Sequence, residues 1–278
     1  LRDTIAFQGI KGANSELAIY QHFGDDVDIF PCADLSELFE AIQTQQVRYA
    51  LVPVENSFAG AVNGAYELLM DYDFRIQGEV ILHVHHALLA LPGMQLHDIQ
   101  KVISHPQALA QCDRFLQRHG LQPATWYDTA GAAKDLAIDK PANTGAIATT
   151  RAAELYNLHI VSDQIEDVPY NYTRFFILGN EDPIKAAYNK TSLVFATRNK
   201  PAALYECLGE FAERGLNLTK IESRPRRNRP WEPIFYLDFE GHWQDPACQQ
   251  ALTRLLQKAS FVKMLGSYPA VKTNSVGI

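Results

Sequence analysis

The chain has 278 residues, 47% of them apolar, so it can bury a substantial core, and its length suggests two domains. A formal net charge of -7 at pH 7 argues against a nucleic-acid or anionic-membrane partner, since both reward a basic face. Cys32, Cys112, Cys207 and Cys248 are scattered without a Cys-x-x-Cys pair, so zinc, redox and dense-disulfide readings lack their spacing and four reduced thiols are expected.

From the N-terminus, short β-branched runs alternate with helical patterns. Residues 4–7 read as a strand ending at Gly9-Ile10-Lys11-Gly12, after which Asn14 or Ser15 can cap a helix running to about Phe23. Residues 28–30, 49–54, 101–104, 124–127 and 145–148 read as further short strands, each followed by a helical pattern. This alternation predicts α/β layers with largely parallel strands, in which ligands collect past the carboxyl ends of the strands. Three loops fit: Gly9 to Ser15, Glu55-Asn56-Ser57, and Ser104-His105-Pro106. Pro106 suits the first turn of a helix on which Gln107 and Gln111 share a face. Further on, Asn171-Tyr172-Thr173-Arg174-Phe175-Phe176 sets a hydroxyl and a guanidinium at the mouth of an apolar strand.

The pattern changes after Gly179-Asn180-Glu181-Asp182-Pro183. A strand at 191–196 is followed by a helix opened by Pro201, with an apolar stripe of Leu204, Leu208 and Phe211 and an end at Gly215. Strands at 216–223 and 233–239, a helix begun by Asp245-Pro246, and a strand at 261–268 complete the order β-α-β-β-α-β, the ferredoxin-like split unit. Glu222-Ser223-Arg224-Pro225 is expected to end its strand in a charged loop.

Five segments in this order give the chain its resemblance to prephenate dehydratase over nearly its whole length. They are Phe7-Gln8-Gly9 with Gly12-Ala13-Asn14-Ser15-Glu16, Pro53-Val54-Glu55-Asn56-Ser57, Ser104-His105-Pro106-Gln107-Ala108-Leu109, Thr173-Arg174-Phe175, and Lys220-Ile221-Glu222-Ser223-Arg224-Pro225. The resemblance implies a two-lobed catalytic domain over residues 1–185, similar to type II periplasmic binding proteins, with lobes of about 1–78 with 166–185, and 79–165. An ACT regulatory domain over 186–278 would follow. It implies that prephenate loses water and carbon dioxide to give phenylpyruvate, with Thr173, Asn56, Ser104 and Gln111 as the catalytic set. Arg174, Phe175, Gly12, Ser15 and Ser57 are the expected substrate-binding positions, Arg174 or the backbone amides of Gly9 to Ser15 lying near the pyruvyl carboxylate. It also implies feedback by L-phenylalanine bound between paired ACT domains, at Asn199, Ala202, Ala203, Leu204, Glu222, Ser223 and Arg224. The family's Gly-Ala-Leu segment reads Ala202-Ala203-Leu204 here, and the added methyl crowds a close backbone approach. A homodimer or homotetramer is expected, with Phe235, Tyr236 and Leu237 at the contact.

The elimination needs neither a metal nor another cofactor, because aromatisation of the ring supplies the driving force. His83, His85 and His86 invite a metal reading, but the apolar residues around them favour a buried strand between lobes. Ser104-His105 lacks the Gly-x-Ser-x-Gly elbow of a hydrolase triad, and Arg224, Arg226, Arg227 and Arg229 read as a solvated or interface loop. Without an apolar run of roughly eighteen residues or a signal-peptide core at Leu1-Arg2-Asp3, a cytoplasmic location is expected. Two other functions compete: an arogenate dehydratase performing the same elimination on the amino analogue, and a non-catalytic amino-acid-sensing binding protein.

Overall fold

The computed structural model describes residues 2–226 and 229–272. The chain divides into two compact units, Leu1–Ala65 with Val80–Phe175, and Tyr66–Glu79 with Phe176–Ile278. No helix among the described residues is long and apolar enough to cross a membrane.

The chain begins β1 (Thr4–Gln8), α1 (Asn14–Phe23), β2 (Asp28–Cys32), α2 (Leu35–Gln43) and β3 (Tyr49–Asn56), with β1 parallel to both β2 and β3. Next come β4 (Gly60–Ala61), which folds back on the end of β3, then α3 (Asn63–Asp71) and β5 (Arg75–His83). There follow β6 (Ala87–Ala90), β7 (Lys101–Ser104), α4 (Pro106–Gln111), α5 (Asp113–Arg118), β8 (Gln122–Thr125), α6 (Thr129–Asp139), β9 (Thr144–Ala148), α7 (Thr150–Tyr156) and β10 (His159–Ser162), before β11 (Tyr172–Gly179). One sheet runs β2-β1-β3-β11-β5 and a second runs β10-β6-β9-β7-β8. β7 is parallel to β8 and β9, as the alternation predicts, whereas β6 is antiparallel to both its neighbours. β9 is buried along its whole length, which explains its continuous small and apolar sequence.

Three local expectations fail. Neither Asn14 nor Ser15 caps α1: Ala13 occupies that position, and first-turn Glu16 reaches back to accept from the Gly12 amide at 2.5 Å. The strand expected at 124–127 lies at Gln122–Thr125, because β8 is an edge strand and an edge tolerates Pro123. The stretch around His83, His85 and His86 is not one strand either. β5 stops at His83 and β6 starts at Ala87.

The second unit carries β12 (Asn189–Ala196), α8 (Ala203–Ala212), β13 (Leu218–Arg226), β14 (Arg229–Glu240), α9 (Pro246–Lys258) and β15 (Phe261–Pro269), in the expected β-α-β-β-α-β order. Its antiparallel sheet runs β13-β14-β12-β15, and Leu193, Phe195, Phe211, Leu237, Phe239 and Leu255 form its core with α8 and α9. Glu222, Ser223 and Arg224 lie inside β13, opposite Tyr236, Phe235 and Ile234, not in a loop. Pro225 suggests a break, but β13 is an edge and pairing continues past it to Arg226. The Arg227 of the expected basic loop lies outside the described residues. Phe235, Tyr236 and Leu237 are buried within the unit, where the Tyr236 hydroxyl donates to the Tyr66 carbonyl, so they are not free to meet another copy. Pro201 precedes the helix without entering it, because Ala202 is left-handed at φ 63° and α8 starts one residue later.

This unit reaches back to residues 66–79 through polar bonds. Lys190 Nζ, almost wholly buried, lies 2.9 Å from Glu79 Oε1, which also accepts from the Val271 amide. Lys263 Nζ donates to the carbonyls of Met70 and Tyr72.

Candidate active site

Asn56 closes β3 and Thr173 stands near the start of β11, on neighbouring strands. Side chains alternate across a strand. Asn56 and Thr173 therefore share one face, where Asn56 Nδ2 donates to Thr173 Oγ1 at 3.0 Å. Glu55 and Arg174 take the other face, where Arg174 Nη1 lies 3.9 Å from Glu55 Oε2. Arg174 thus turns away from Thr173 toward a carboxylate, and Phe175 is buried one step deeper.

The turn after β3 holds Asn56 in place. Its Oδ1 accepts from the amides of Phe58 and Ala59, both at 3.0 Å, and its Nδ2 also donates to Asn171 Oδ1 at 2.9 Å and the Tyr172 carbonyl at 3.2 Å. Ser57 staples the same turn to the strand: its hydroxyl donates to the Tyr170 carbonyl and accepts from the Tyr172 amide. Asn171 carries the network onward, donating through Nδ2 to Gln111 Oε1 at 3.1 Å.

Gln111 ends α4, whose first turn contains Pro106 as the sequence predicts. Gln107 and Gln111 both line a cavity of about 390 Å³, with Asn171, Phe58, Val168 and Arg114 around them. Glu166 and Asp167 also face this space, yet both carboxylates are engaged. Asp167 accepts from the Arg114 amide. Glu166 accepts from the His86 amide at 2.9 Å and contacts His85 Nδ1 at 2.7 Å. Burial alone raises the Glu166 pKa, but these hydrogen bonds outweigh it and hold the group below the ordinary carboxylate value. The Arg114 side chain forms no ion pair among the described residues and supplies positive charge at the cavity.

The structure separates Ser104 from this group. Its side chain is fully buried and its hydroxyl donates to the Ile147 carbonyl at 2.6 Å, tying β7 to β9. The Gly9 to Ser15 loop borders a different cavity of about 840 Å³, lined by Gly9, Asn14 and Ser15 on one side and by His105, Tyr127 and Asp128 on the other. Gly12 stands apart from it. Its amide goes to Glu16, its carbonyl accepts from Thr149 Oγ1 at 2.6 Å, and at φ 92° a Cβ would lie 3.1 Å from Ala152 Cα.

In the second unit, Asn199, Ala202, Ala203 and Leu204 line a cavity of about 250 Å³ opposite Glu232 and Pro233. Glu222 and Arg224 do not join them. They pair with each other on one face of β13, under which Lys220 and Arg224 stand over the Tyr66 ring, while Ser223 is exposed on the opposite face.

Sequence reasoning missed three residues of the first cavity and of the hydrogen-bond chain beside it. Asn171 lies two residues before Thr173, a strand spacing that puts it on the same face and was a usable signal. His86, whose Nε2 lies 2.7 Å from Gln111 Oε1, and Arg114 carry no local pattern that marks them.

Comparison with known proteins extends this geometry. Residues 5–183 match the family described as prephenate dehydratase. The chloroplastic arogenate dehydratase/prephenate dehydratase 2 of Arabidopsis thaliana is 41% identical over 284 residues, covering 98% of this chain and 74% of that protein. A solved structure described as GqqA, a novel type of quorum quenching acylase, has a TM-score of 0.91 at 34% identity, over 98% of this chain and 99% of its own. Prephenate dehydratase from Arthrobacter aurescens, solved in complex with L-Phe, gives 0.88 at 30% identity, over 95% and 89%. With a family match over more than half its length and a 41% identical relative aligned along almost all of it, the chain belongs to the prephenate dehydratase family.

Proposed function

We propose that this protein catalyses the decarboxylating dehydration of prephenate to phenylpyruvate, a carbon-oxygen elimination that serves phenylalanine synthesis. The observation that carries the reading is the bond from Asn56 Nδ2 to Thr173 Oγ1 at 3.0 Å. By occupying an oxygen lone pair it leaves the threonine O–H to donate elsewhere, here to the departing ring hydroxyl. A threonine alkoxide is too basic to persist near neutral pH, so the proton must move as the carbon-oxygen bond breaks, and Oγ1 must recover a proton from solvent as it does so. Meanwhile the Asn56 amide stabilises the charge developing on Oγ1.

Prephenate carries two carboxylates, of which the ring carboxylate must leave as carbon dioxide. A cation gripping it would oppose the reaction, whereas one on the pyruvyl carboxylate only orients. Arg114 suits the second task, with Gln111 beside it as a neutral donor. Ser104 supports the end of β7 rather than touching substrate, and its burial beside His105 also speaks against a serine hydrolase route like that of an acylase. Arogenate presents the same ring and leaving group, and the Arabidopsis relative's name favours it as a second substrate.

In the same reading, residues 1–185 form the catalytic domain and residues 186–278 an ACT domain that binds L-phenylalanine and inhibits, in a homodimer or homotetramer located in the cytoplasm. Support comes from the β-α-β-β-α-β order, the small cavity at Asn199 to Leu204, and the L-Phe complex of the Arthrobacter relative. The experiment is to mix the purified protein with prephenate, and separately with arogenate, and follow aromatic product with and without phenylalanine. Thr173→Ala should lower turnover about a hundredfold or more at unchanged melting temperature, and Thr173→Ser should retain more activity. No product from either substrate would end the reading.

A further inference from the structure

We propose that His86 is a positioning residue of this site: carrying its proton on Nε2, it completes a five-residue hydrogen-bond chain whose direction the Phe58 and Ala59 amides set, and it holds the Gln111 side chain with its amide group toward the cavity. The argument starts from groups that cannot reverse. The backbone amides of Phe58 and Ala59 only donate, and both point at one end of the Asn56 carboxamide. That end is therefore the oxygen, and Nδ2 faces Thr173 Oγ1 and Asn171 at 3.0 and 2.9 Å. The Asn171 atom that accepts from it must be Oδ1, which turns the Asn171 amide group onto Gln111 at 3.1 Å. Gln111 must then present Oε1, and His86 Nε2, 2.7 Å from the same oxygen, is compelled to donate. Reversing any member would set two donors or two acceptors against each other in a buried place, where an unmet polar group is costly.

The ring's surroundings keep the second proton off. His86 is 3% exposed, and burial lowers its pKa below the ordinary histidine value, partly countered by the Gln111 bond and by the nearby Glu166 carboxylate. The charged and titratable neighbours facing it are Glu166, which accepts from the His86 amide, and His85, which Glu166 also holds. With two donors on Oε1, the Gln111 Nε2 group is left to meet a ligand. Without His86, Gln111 Oε1 keeps only the Asn171 bond, and the side chain is held less firmly with its amide group toward the substrate. This second consequence rests on the dehydratase reading; the tautomer does not.

Two measurements on the full chain separate these claims. In the ¹⁵N-histidine spectrum, the resonance lost on His86→Leu should show the neutral Nε2–H form near neutral pH. A neutral Nδ1–H form, or an imidazolium, would overturn the proposal whatever the enzyme's substrate. In steady-state kinetics, His86→Leu should lower kcat/KM about tenfold, and His86→Asn, which keeps a donor, should recover part of that loss. In a Gln111→Leu background the His86→Leu change should add less than about twofold, because it acts through Gln111. Full additivity would refute the coupling. If His86→Leu fails to fold, the spectrum is assigned with His86→Asn and still decides; inactivity of the wild type on both substrates would count against the dehydratase reading alone.

Discussion

Asn56→Asp keeps the shape of the side chain and inverts one edge of the site. The retained oxygen still accepts from Phe58 and Ala59, but a carboxylate oxygen now faces three acceptors at 2.9, 3.0 and 3.2 Å. Each lost neutral hydrogen bond is worth about 0.5–1.5 kcal/mol. Thr173 can relieve its share by turning its proton toward the new carboxylate, while Asn171 Oδ1 and the Tyr172 carbonyl cannot. About 2 kcal/mol of folding stability should therefore go, lowering the melting temperature by roughly 4–8 °C at this chain length. The larger effect falls on turnover. A Thr173 proton held by the introduced carboxylate is withheld from the leaving hydroxyl, and kcat should fall by about two to three orders of magnitude. Acid should reverse the defect, because acceptors crowding a carboxylate favour its protonation, and the protonated acid donates to Thr173 again. The assay is kcat against pH for both proteins, with melting curves alongside. If the variant's kcat is within about threefold of wild type near neutral pH, or its pH profile shows no relative rise toward acid, Asn56 does not direct the Thr173 proton.

Ala202→Gly should stabilise the protein by about 0.5–1 kcal/mol: an alanine at φ 63° costs about 1–2 kcal/mol, of which glycine's extra unfolded-state freedom returns about half. A raised denaturant midpoint at constant slope is the expected result, and a lowered midpoint would contradict the strain argument. Gly12→Ala should do the opposite, costing about 2–3 kcal/mol through its φ of 92° and the 3.1 Å approach to Ala152, and a melting temperature equal to wild type would refute it. Acidification should weaken the fold in two windows. The folded pKa of His86 lies below its ordinary 6.5, so its contribution is complete above that value and is lost as pH falls toward the folded pKa. Glu166, held below its ordinary 4.5, contributes above that value and is lost lower still. Burial also lowers His22 and His242, so His86→Asn should make the upper window of a plot of melting temperature against pH shallower without removing it; a window of unchanged depth would mean that His86 does not contribute there.

Where sequence pattern and burial coincide, the elements were legible. The apolar stripe of Leu204, Leu208 and Phe211, the Asp245-Pro246 start and the alternating strands placed the whole β-α-β-β-α-β unit to within a few residues. Misreadings came where tertiary position overrode a local rule. Pro225 reads as a strand end and the strand expected at 124–127 omits Pro123, yet both sit on edge strands, and Phe235 to Leu237, expected at a contact between copies, lie in the central β14. For the site, motifs gave Thr173 and Asn56 and helical spacing put Gln107 on the face of Gln111. What motifs could not give is direction. Whether an asparagine offers oxygen or nitrogen depends on which backbone amides surround it, and His86 meets Gln111 from 25 positions away in sequence.

The buried pair of Lys190 and Glu79 bears on how this protein can be taken apart. A fragment cut near residue 186 looks like a self-contained cassette, yet it would keep the Lys190 ammonium and discard its carboxylate. Stranding one member of such a pair costs about 3–5 kcal/mol, and the same cut strips Lys263 of the Met70 and Tyr72 carbonyls and Tyr236 of the Tyr66 carbonyl. The second unit is therefore modular in space but not in the gene: any shuffling event, natural or engineered, that moves it intact must carry the fourteen-residue piece Tyr66–Glu79 from the middle of the other coding segment.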